Sequence, residues 1–187
     1  MKIYKYESYE KYVEAQTKAN VKKLRNVWVR QATVEKIVNE NLIISSVLCH
    51  GTRNAREQEY FKNLLPFAEI IGTEISHTAS QFPMTEQHDF HEPKNKWLNK
   101  FDIVYSNSFD HSYDPEKCIN TWKDQLNSNG SLYIEWAWDP SDNRSRASDP
   151  LELSEEELLE LCLGVSLKLI SSFEQDKGQA KIYRFKK

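Results

Sequence analysis

Gly51 and Glu74 are the residues whose types and spacing most directly suggest chemistry in this 187-residue chain. The apolar run Leu42-Ile-Ile-Ser-Ser-Val-Leu-Cys49 ends at His50-Gly51. A short polar turn, Thr52-Arg53-Asn54, then enters an amphipathic stretch with Tyr60, Phe61, Leu64 and Leu65 that Pro66 closes. Strand, tight turn and helix open a βαβ unit, and a nucleotide-bearing ligand commonly lies over such a turn. A second apolar strand, Ala68-Glu-Ile-Ile-Gly-Thr-Glu74-Ile75, finishes in a carboxylate. That carboxylate, about 20 residues beyond the turn, is placed to accept from both hydroxyls of a ribose, with Ile75 flanking a base. The alternative for Glu74 is a solvated strand-end acid. Together the turn and the carboxylate point to an adenosine-containing ligand.

Other reactive side chains are sparser. Of the five histidines, His88 and His91 lie three apart, but on a strand-to-loop segment with no Cys or third ligand nearby, so no metal site is expected. Cys49, Cys118 and Cys162 are odd in number, widely spread and set in apolar contexts. They suit buried thiols in a reducing compartment, with the cytoplasm as the default. Apolar residues make up 39% and charged residues 28% of the chain, which excludes general disorder. The net charge of −3 carries no basic stripe, so nucleic acid is an improbable partner. No run reaches the roughly 18 apolar residues of a membrane span, and the Lys- and Glu-rich start does not read as a signal peptide.

The elements that must position these residues alternate. Residues 6–40 read as a polar helical region with one apolar stripe (Leu24, Val27, Trp28, Val34, Ile37, Val38). Strands are expected at 42–49, 68–75, 86–89, 101–107 and 131–137, with a helix over 55–65. Asp114-Pro115 starts a helix to Leu126, Pro at its first position, and Asn127-Ser-Asn-Gly130 stops it. Residues 139–150 form a loop. Ser154-Glu-Glu-Glu157 is a capping box opening a helix through Cys162, with Gly164 beyond its end. Strands at 165–173 and 180–185 flank the hairpin signal Asp176-Lys-Gly178. The sum is an α/β, Rossmann-like sheet of seven strands, mostly parallel with an antiparallel last strand, plus N-terminal helices. A single domain is expected over 1–187, with 1–40 as a helical appendage and 41–187 as the ligand-binding core.

The order of pieces resembles a class I S-adenosylmethionine-dependent methyltransferase over roughly residues 42–187. The most specific portion is Phe101-Asp-Ile-Val-Tyr-Ser-Asn-Ser-Phe-Asp-His111-Ser-Tyr-Asp-Pro115, then Leu126-Asn-Ser-Asn-Gly130. It is similar to the family's Phe-Asp-x-Val strand, its His-x-x-Asp-Pro helix start and its Leu-x-Pro-Gly-Gly turn. Bacterial sequences carrying Cys-His-Gly-Thr-Arg-Asn in the first turn, as at 49–54 here, are similar and fall in the same superfamily. The departures lie in that turn. Cys49 stands where the family has an acid that partners the cofactor's amino group, and Arg53 and Ala55 replace two of three glycines. Glycine there lets the backbone approach the cofactor closely. Arg53 either tolerates the backbone angle and swings away, or aims at the methionine carboxylate.

The resemblance implies S-adenosylmethionine as cofactor, held by His50, Gly51, Thr52 and Arg53, by Glu74 and Ile75, by Asp89 and Phe90, and by Asn107. In the family the acid at the Asp89 position accepts from the adenine amino group; the alternative here is a turn cap. His111, just past the fourth strand where the methyl would point, is the candidate base, oriented by Asp110. Its alternatives are to cap the Pro115 helix or to pack on Tyr113. Tyr105, Phe109, Tyr113, Trp136 and Trp138 are expected to ring the sulfonium and the acceptor, with Tyr113, Trp136 and Trp138 as substrate contacts. The 1–40 region is expected to lie over the acceptor side. The implied activity is methyl transfer to a small-molecule or saccharide acceptor, O- rather than N- or C-methylation, with the oligomeric state open. The competing reading is a catalytically silent domain binding a nucleotide or a partner protein. A nicotinamide enzyme is disfavoured by the absent pyrophosphate-binding glycine pattern.

Overall fold

The computed structural model describes residues 1–137, 146–175 and 180–187. At its centre is strand β2 (Ser46–His50), where Val47 and Cys49 face one side and Leu48 the other, all fully buried. A strand buried on both faces belongs in the middle of a three-layer α/β stack.

The chain before it contributes β1 (Lys2–Ile3), α1 (Tyr9–Lys22) and α2 (Gln31–Asn39). After β2 come α3 (Arg56–Leu64), β3 (Glu69–Glu74), β4 (Thr85–Gln87) and β5 (Phe101–Ser106). Next are α4 (Pro115–Gln125), β6 (Leu126–Trp136), β7 (Leu151–Glu152), α5 (Glu155–Gly164), β8 (Lys168–Glu174) and β9 (Lys181–Lys186). The seven-stranded sheet runs β4-β3-β2-β5-β6-β9-β8, parallel except that β9 is antiparallel to both neighbours. The expected seven-stranded sheet with an antiparallel last strand is therefore present. A separate two-stranded pair joins β1 to β7. Strand order reverses between β2 and β5, and a crevice outside the carboxyl ends of the strands opens at such a switch point.

One face of the sheet packs Leu48, Val104 and Leu132 against α4 and α5 through Trp122, Cys118, Ile119, Leu158 and Cys162. The other packs Val47, Cys49, Ile103 and Tyr105 against α2 and α3 through Val34, Ile37 and Phe61. All three cysteines are free and buried, as their contexts suggested. Asp114 caps α4 by accepting from Lys117 N, with Pro115 in the first turn, and Ser154 and Glu157 form the expected capping box.

Three expectations are corrected. The first strand begins at Ser46 rather than residue 42, because Asp102 Oδ2 takes the N–H groups of Ser45 (2.8 Å) and Ser46 (3.0 Å) where the neighbouring strands start. Leu42 and Ile43 are left exposed. Asn127–Gly130 is no free turn but a bulge within β6: Leu126 pairs with Phe101 and Ser131 with Ile103. Asn127 holds the bulge, its Oδ1 accepting from Asn129 N and its Nδ2 donating to Asp102. A Cβ on Gly130 would lie 2.6 Å from the Phe101 carbonyl, so the close approach needs glycine. Gly164 ends inside α5, and the left-handed residue beyond the helix is Ser166, at φ 67°. Ser166 N donates to Leu163 O and Leu167 N to Cys162 O, which is a Schellman termination with serine in the glycine position. Ser166→Gly should raise unfolding stability by about 0.5–1 kcal/mol in urea titration; a loss of stability would show that the serine hydroxyl outweighs the backbone cost.

Candidate ligand site

The turn after β2 carries the strain that the sequence leads one to expect. Gly51 has φ +71°, and a Cβ there would come within 2.6 Å of Ser108 Cβ. Arg53 (φ 44°) and Ala55 (φ 60°) also adopt left-handed backbone. These are the two positions where the resemblance expects glycine, so the turn keeps the glycine conformation without the glycines, at roughly 1–2 kcal/mol per residue. Thr52 N donates to Thr73 O, tying the turn to β3.

Glu74, at the end of β3, is buried, and its carboxylate holds two backbone donors: Arg53 N to Oε2 at 3.1 Å and Ser76 N to Oε1 at 2.9 Å. Burial pushes its pKa up. Asp89, beyond β4, accepts from His91 N (2.9 Å), His91 Nδ1 (2.6 Å) and the Tyr9 hydroxyl (3.0 Å). Burial raises its pKa, but the bonds from His91 and Tyr9 outweigh this and hold the carboxyl below its usual range. His91 Nε2 reaches Ser112 Oγ at 2.8 Å, extending the chain of polar contacts from α1 to the start of α4.

Gly51, Arg53, Glu74, Ile75, Asp89, Phe90 and His111 meet around one cavity that opens to solvent. Its other wall comes from the N-terminal region expected over the acceptor side, which here also faces Glu74 and Asp89. Tyr12, Gln16, Ala19 and Asn20 of α1 line it, and Ser108 closes the floor. Tyr12, Gln16 and Asn20 recur every four residues, so one helix face looks inward, and it is largely polar. The region read as one continuous apolar stripe is two helices, and Val27 and Trp28 between them are exposed. Asn20 Oδ1 accepts from Thr78, whereas its Nδ2 is buried without a hydrogen-bond partner.

His111 Nδ1 lies 2.7 Å from the Ser148 carbonyl, so this nitrogen carries the proton and the lone pair of the neutral ring is on Nε2. Nε2 lies 3.9 Å from Asp110 Oδ1. Asp110, His111 and Asp149 bring ligand-type atoms within 4.8 Å of one another. Arg146 Nε and the Ser148 hydroxyl both donate to Asp149 Oδ2, at 2.9 Å each.

Several expected site residues stand elsewhere. His50 is buried beneath the turn, bonded to Thr73 Oγ1 (2.9 Å) and Gln125 Oε1 (2.8 Å) and stacked on Trp122 at 5.0 Å. Burial pushes its pKa down to about 3, so it is a neutral core group. Thr52 is buried too, its Oγ1 accepting from Gln58. Asn107 lines a second, smaller cavity. Tyr113 packs on Tyr12 and His91 rather than on His111. Trp136 donates its indole N–H to the Leu153 carbonyl and packs on the core. Tyr105 (hydroxyl to Glu135) and Phe109 (against Trp122) are likewise core rings. Trp138 lies outside the described residues. The expected aromatic ring around a sulfonium is therefore not formed by Tyr105, Phe109, Tyr113 or Trp136, because each ring finds its partner inside the core or on α1.

The sequence matches no family model and no curated protein. Solved structures align over nearly its whole length. A 1,6-didemethyltoxoflavin-N1-methyltransferase from Burkholderia thailandensis, solved with 1,6-didemethyltoxoflavin and S-adenosylhomocysteine bound, superposes with a TM-score of 0.71. The identity is 15%, over 98% of this chain and 92% of that one. The fold is that of the class I methyltransferases. An S-adenosylmethionine-dependent methyltransferase from Aquifex aeolicus gives 0.68 at 14% identity, over 89% of this chain and 96% of that one. The methyltransferase fold is not bound to one reaction: the [4+2]-cyclase SpnF superposes at 0.63, with 14% identity over 83% and 64% of the two chains. Among the described residues no helix is long and apolar enough to cross a membrane.

Proposed function

We propose that this protein is an S-adenosylmethionine-dependent methyltransferase acting on a hydroxyl of a small molecule, with the cofactor in the cavity beneath α1. The observation that carries the reading is the convergence of Gly51, Glu74 and Asp89, from the ends of three neighbouring parallel strands, on one space. The residues there fit the group. Gly51 lets backbone approach it, the buried Glu74 carboxylate offers acceptors to ribose hydroxyls, and Phe90 and Ile75 supply apolar faces for adenine. Arg53 Nε, buried without a hydrogen-bond partner, has a donor to offer a ligand there. When bound, the cofactor supplies a methyl group on a sulfonium for in-line displacement.

The chain's own work is positioning and proton transfer. The walls hold the ligand in line and exclude water, which can supply most of the acceleration. His111, its tautomer set by Ser148, presents Nε2 to take the proton of an attacking hydroxyl, which favours O- over N- or C-methylation. Trp136 is half-buried against the core with its indole N–H taken by the Leu153 carbonyl, so this reading prefers a small molecule over a saccharide. The chain as one domain, with 1–40 appended, completes the reading.

Calorimetry tests it. The wild type should bind S-adenosylhomocysteine, and Glu74→Ala should weaken adenosine by about tenfold or more while leaving 2′,3′-dideoxyadenosine unchanged. Equal losses for both nucleosides would assign Glu74 to holding the turn through Arg53 N and Ser76 N. Absence of any S-adenosylhomocysteine binding would instead favour a catalytically silent domain.

A further inference from the structure

Every strand of the large sheet except β9 runs the same way, so the sheet has a carboxyl end, where the ligand cavity lies, and an amino end. Among the described residues, every exposed large apolar side chain beyond Trp28 stands at the amino end. Leu42 and Ile43 lead into β2, Leu64 and Phe67 into β3, and Leu98 into β5; the remaining three surround the start of β8. Leu42 and Phe67 are fully exposed. The bond from Glu69 N to Ser45 O, at 2.8 Å, holds the segments that carry them side by side. Apolar residues scattered singly over a surface are ordinary, but eight gathered at one end mark a surface that something covers.

The same end is basic. Lys168, at the start of β8, stands directly across from Lys186, at the end of β9, and like charges opposed in this way are unfavourable by themselves. Neither lysine has an ion-pair partner among the described residues. Lys187 donates to uncharged groups, Asn99 Oδ1 at 2.9 Å and the Leu126 carbonyl at 2.6 Å. Burial lowers its pKa and the Lys123 ammonium nearby lowers it further, against the pull of Asp124. The other acids at this end are engaged: Glu69 holds Lys100 at 2.7 Å, and Asp102 accepts from Ser45, Ser46 and Asn127. Asp124 therefore offsets the lysines only in part.

We propose that the amino end of the sheet docks on an anionic phospholipid bilayer, with Leu42, Ile43 and Phe67 entering the boundary between headgroups and acyl chains and Lys168, Lys186 and Lys187 meeting the headgroups. The charge decides for lipid over a purely apolar partner, because basic side chains beside exposed apolar ones match an anionic interface. The shape agrees. Side chains that stand fully clear of the surface suit a fluid that closes around each of them, whereas a folded partner needs a matching pocket for every one. The lysine stems can lie along the apolar surface while their ammonium groups reach the headgroups. Docked in this way, the ligand cavity lies about one strand length away, roughly 15–20 Å, and opens towards water. The proposal goes beyond the proposed function and does not depend on which ligand the cavity takes.

Flotation of the full chain with vesicles tests it. Phosphatidylcholine vesicles containing about one-third phosphatidylserine should carry the protein, and pure phosphatidylcholine should carry it at least about tenfold less well. Raising the salt to about 0.5 M should release most of the bound protein. The pair Leu42→Ser, Phe67→Ser should weaken binding to the anionic vesicles about tenfold or more, and so should the pair Lys168→Glu, Lys186→Glu. A thermal melting midpoint close to that of the wild type reports that each variant is folded. Failure of the wild type to float with the anionic vesicles overturns the proposal, and so does equal flotation of the wild type and both folded variants. A chain that ignores vesicles but sediments as a dimer, and becomes a monomer on Phe67→Ser, would assign the surface to a second copy and overturn the lipid.

Discussion

Deleting residues 1–22 is expected to abolish S-adenosylhomocysteine binding, a loss of at least about 100-fold, because α1 forms one whole wall of the cavity. The expectation that this region serves only the acceptor gives way here. Tyr12, Gln16, Ala19 and Asn20 share one cavity with Glu74, Asp89 and Phe90, and the Tyr9 hydroxyl reaches Asp89 itself. Without α1 the cavity would lose one wall and become an open shelf. Calorimetry on the truncated chain reads the result, and affinity within about threefold of the full chain would place the ligand away from α1. The double substitution Gln16→Ala, Asn20→Ala leaves the helix in place and should cost about tenfold, which separates lost contacts from a lost fold.

His111→Ala should lower turnover about 100-fold at saturating cofactor, measured on whichever hydroxyl acceptor the wild type methylates. The argument is geometric. The Ser148 carbonyl, 2.7 Å from Nδ1, fixes the proton there and leaves the Nε2 lone pair free, in a ring that lines the cavity. His111→Gln tests the proton separately: a glutamine amide can still bond to Ser148 but cannot accept a proton, so it should be as slow as alanine. If either variant turns over like the wild type, no base is needed and positioning carries the reaction.

What could be read in the chain beforehand follows from whether a residue's partner is local. The Ser154–Glu157 box, the Asp114-Pro115 start and the Gly51 turn each depend on residues a few positions apart, and each stands where the sequence put it. Alternating apolar runs fixed the strands because burial on both faces leaves few other uses for Val47, Leu48 and Cys49. The misses share one cause. Gln16 and Asn20 are polar, so α1 looked like a solvated helix, yet its polar face points into a polar cavity. Tyr105, Phe109 and Trp136 carry the chemistry of a ligand mouth, and only packing reveals that the core takes the first two and the third lies half-buried against it. Cys49, standing where an acid was expected, made the turn look incomplete. Burial raises the pKa of that thiol and the nearby Glu57 carboxylate adds to it, a relation that no motif spacing records.

The pairing of β1 with β7 has a temporal meaning. Lys2 and Glu152 are 150 positions apart, and Tyr4 N and the Tyr6 hydroxyl continue the contact to the carbonyls of Pro150 and Ala147. On a ribosome, which makes the amino-terminal side first, β1 emerges early and must wait for its partner until residues near 150 have followed. Closing so long a loop is among the slower, entropically dearer steps of folding. The sheet can assemble around β2 and β5 while its roof is still loose, so the pocket closes late, as residues 2–6 meet residues 147–152.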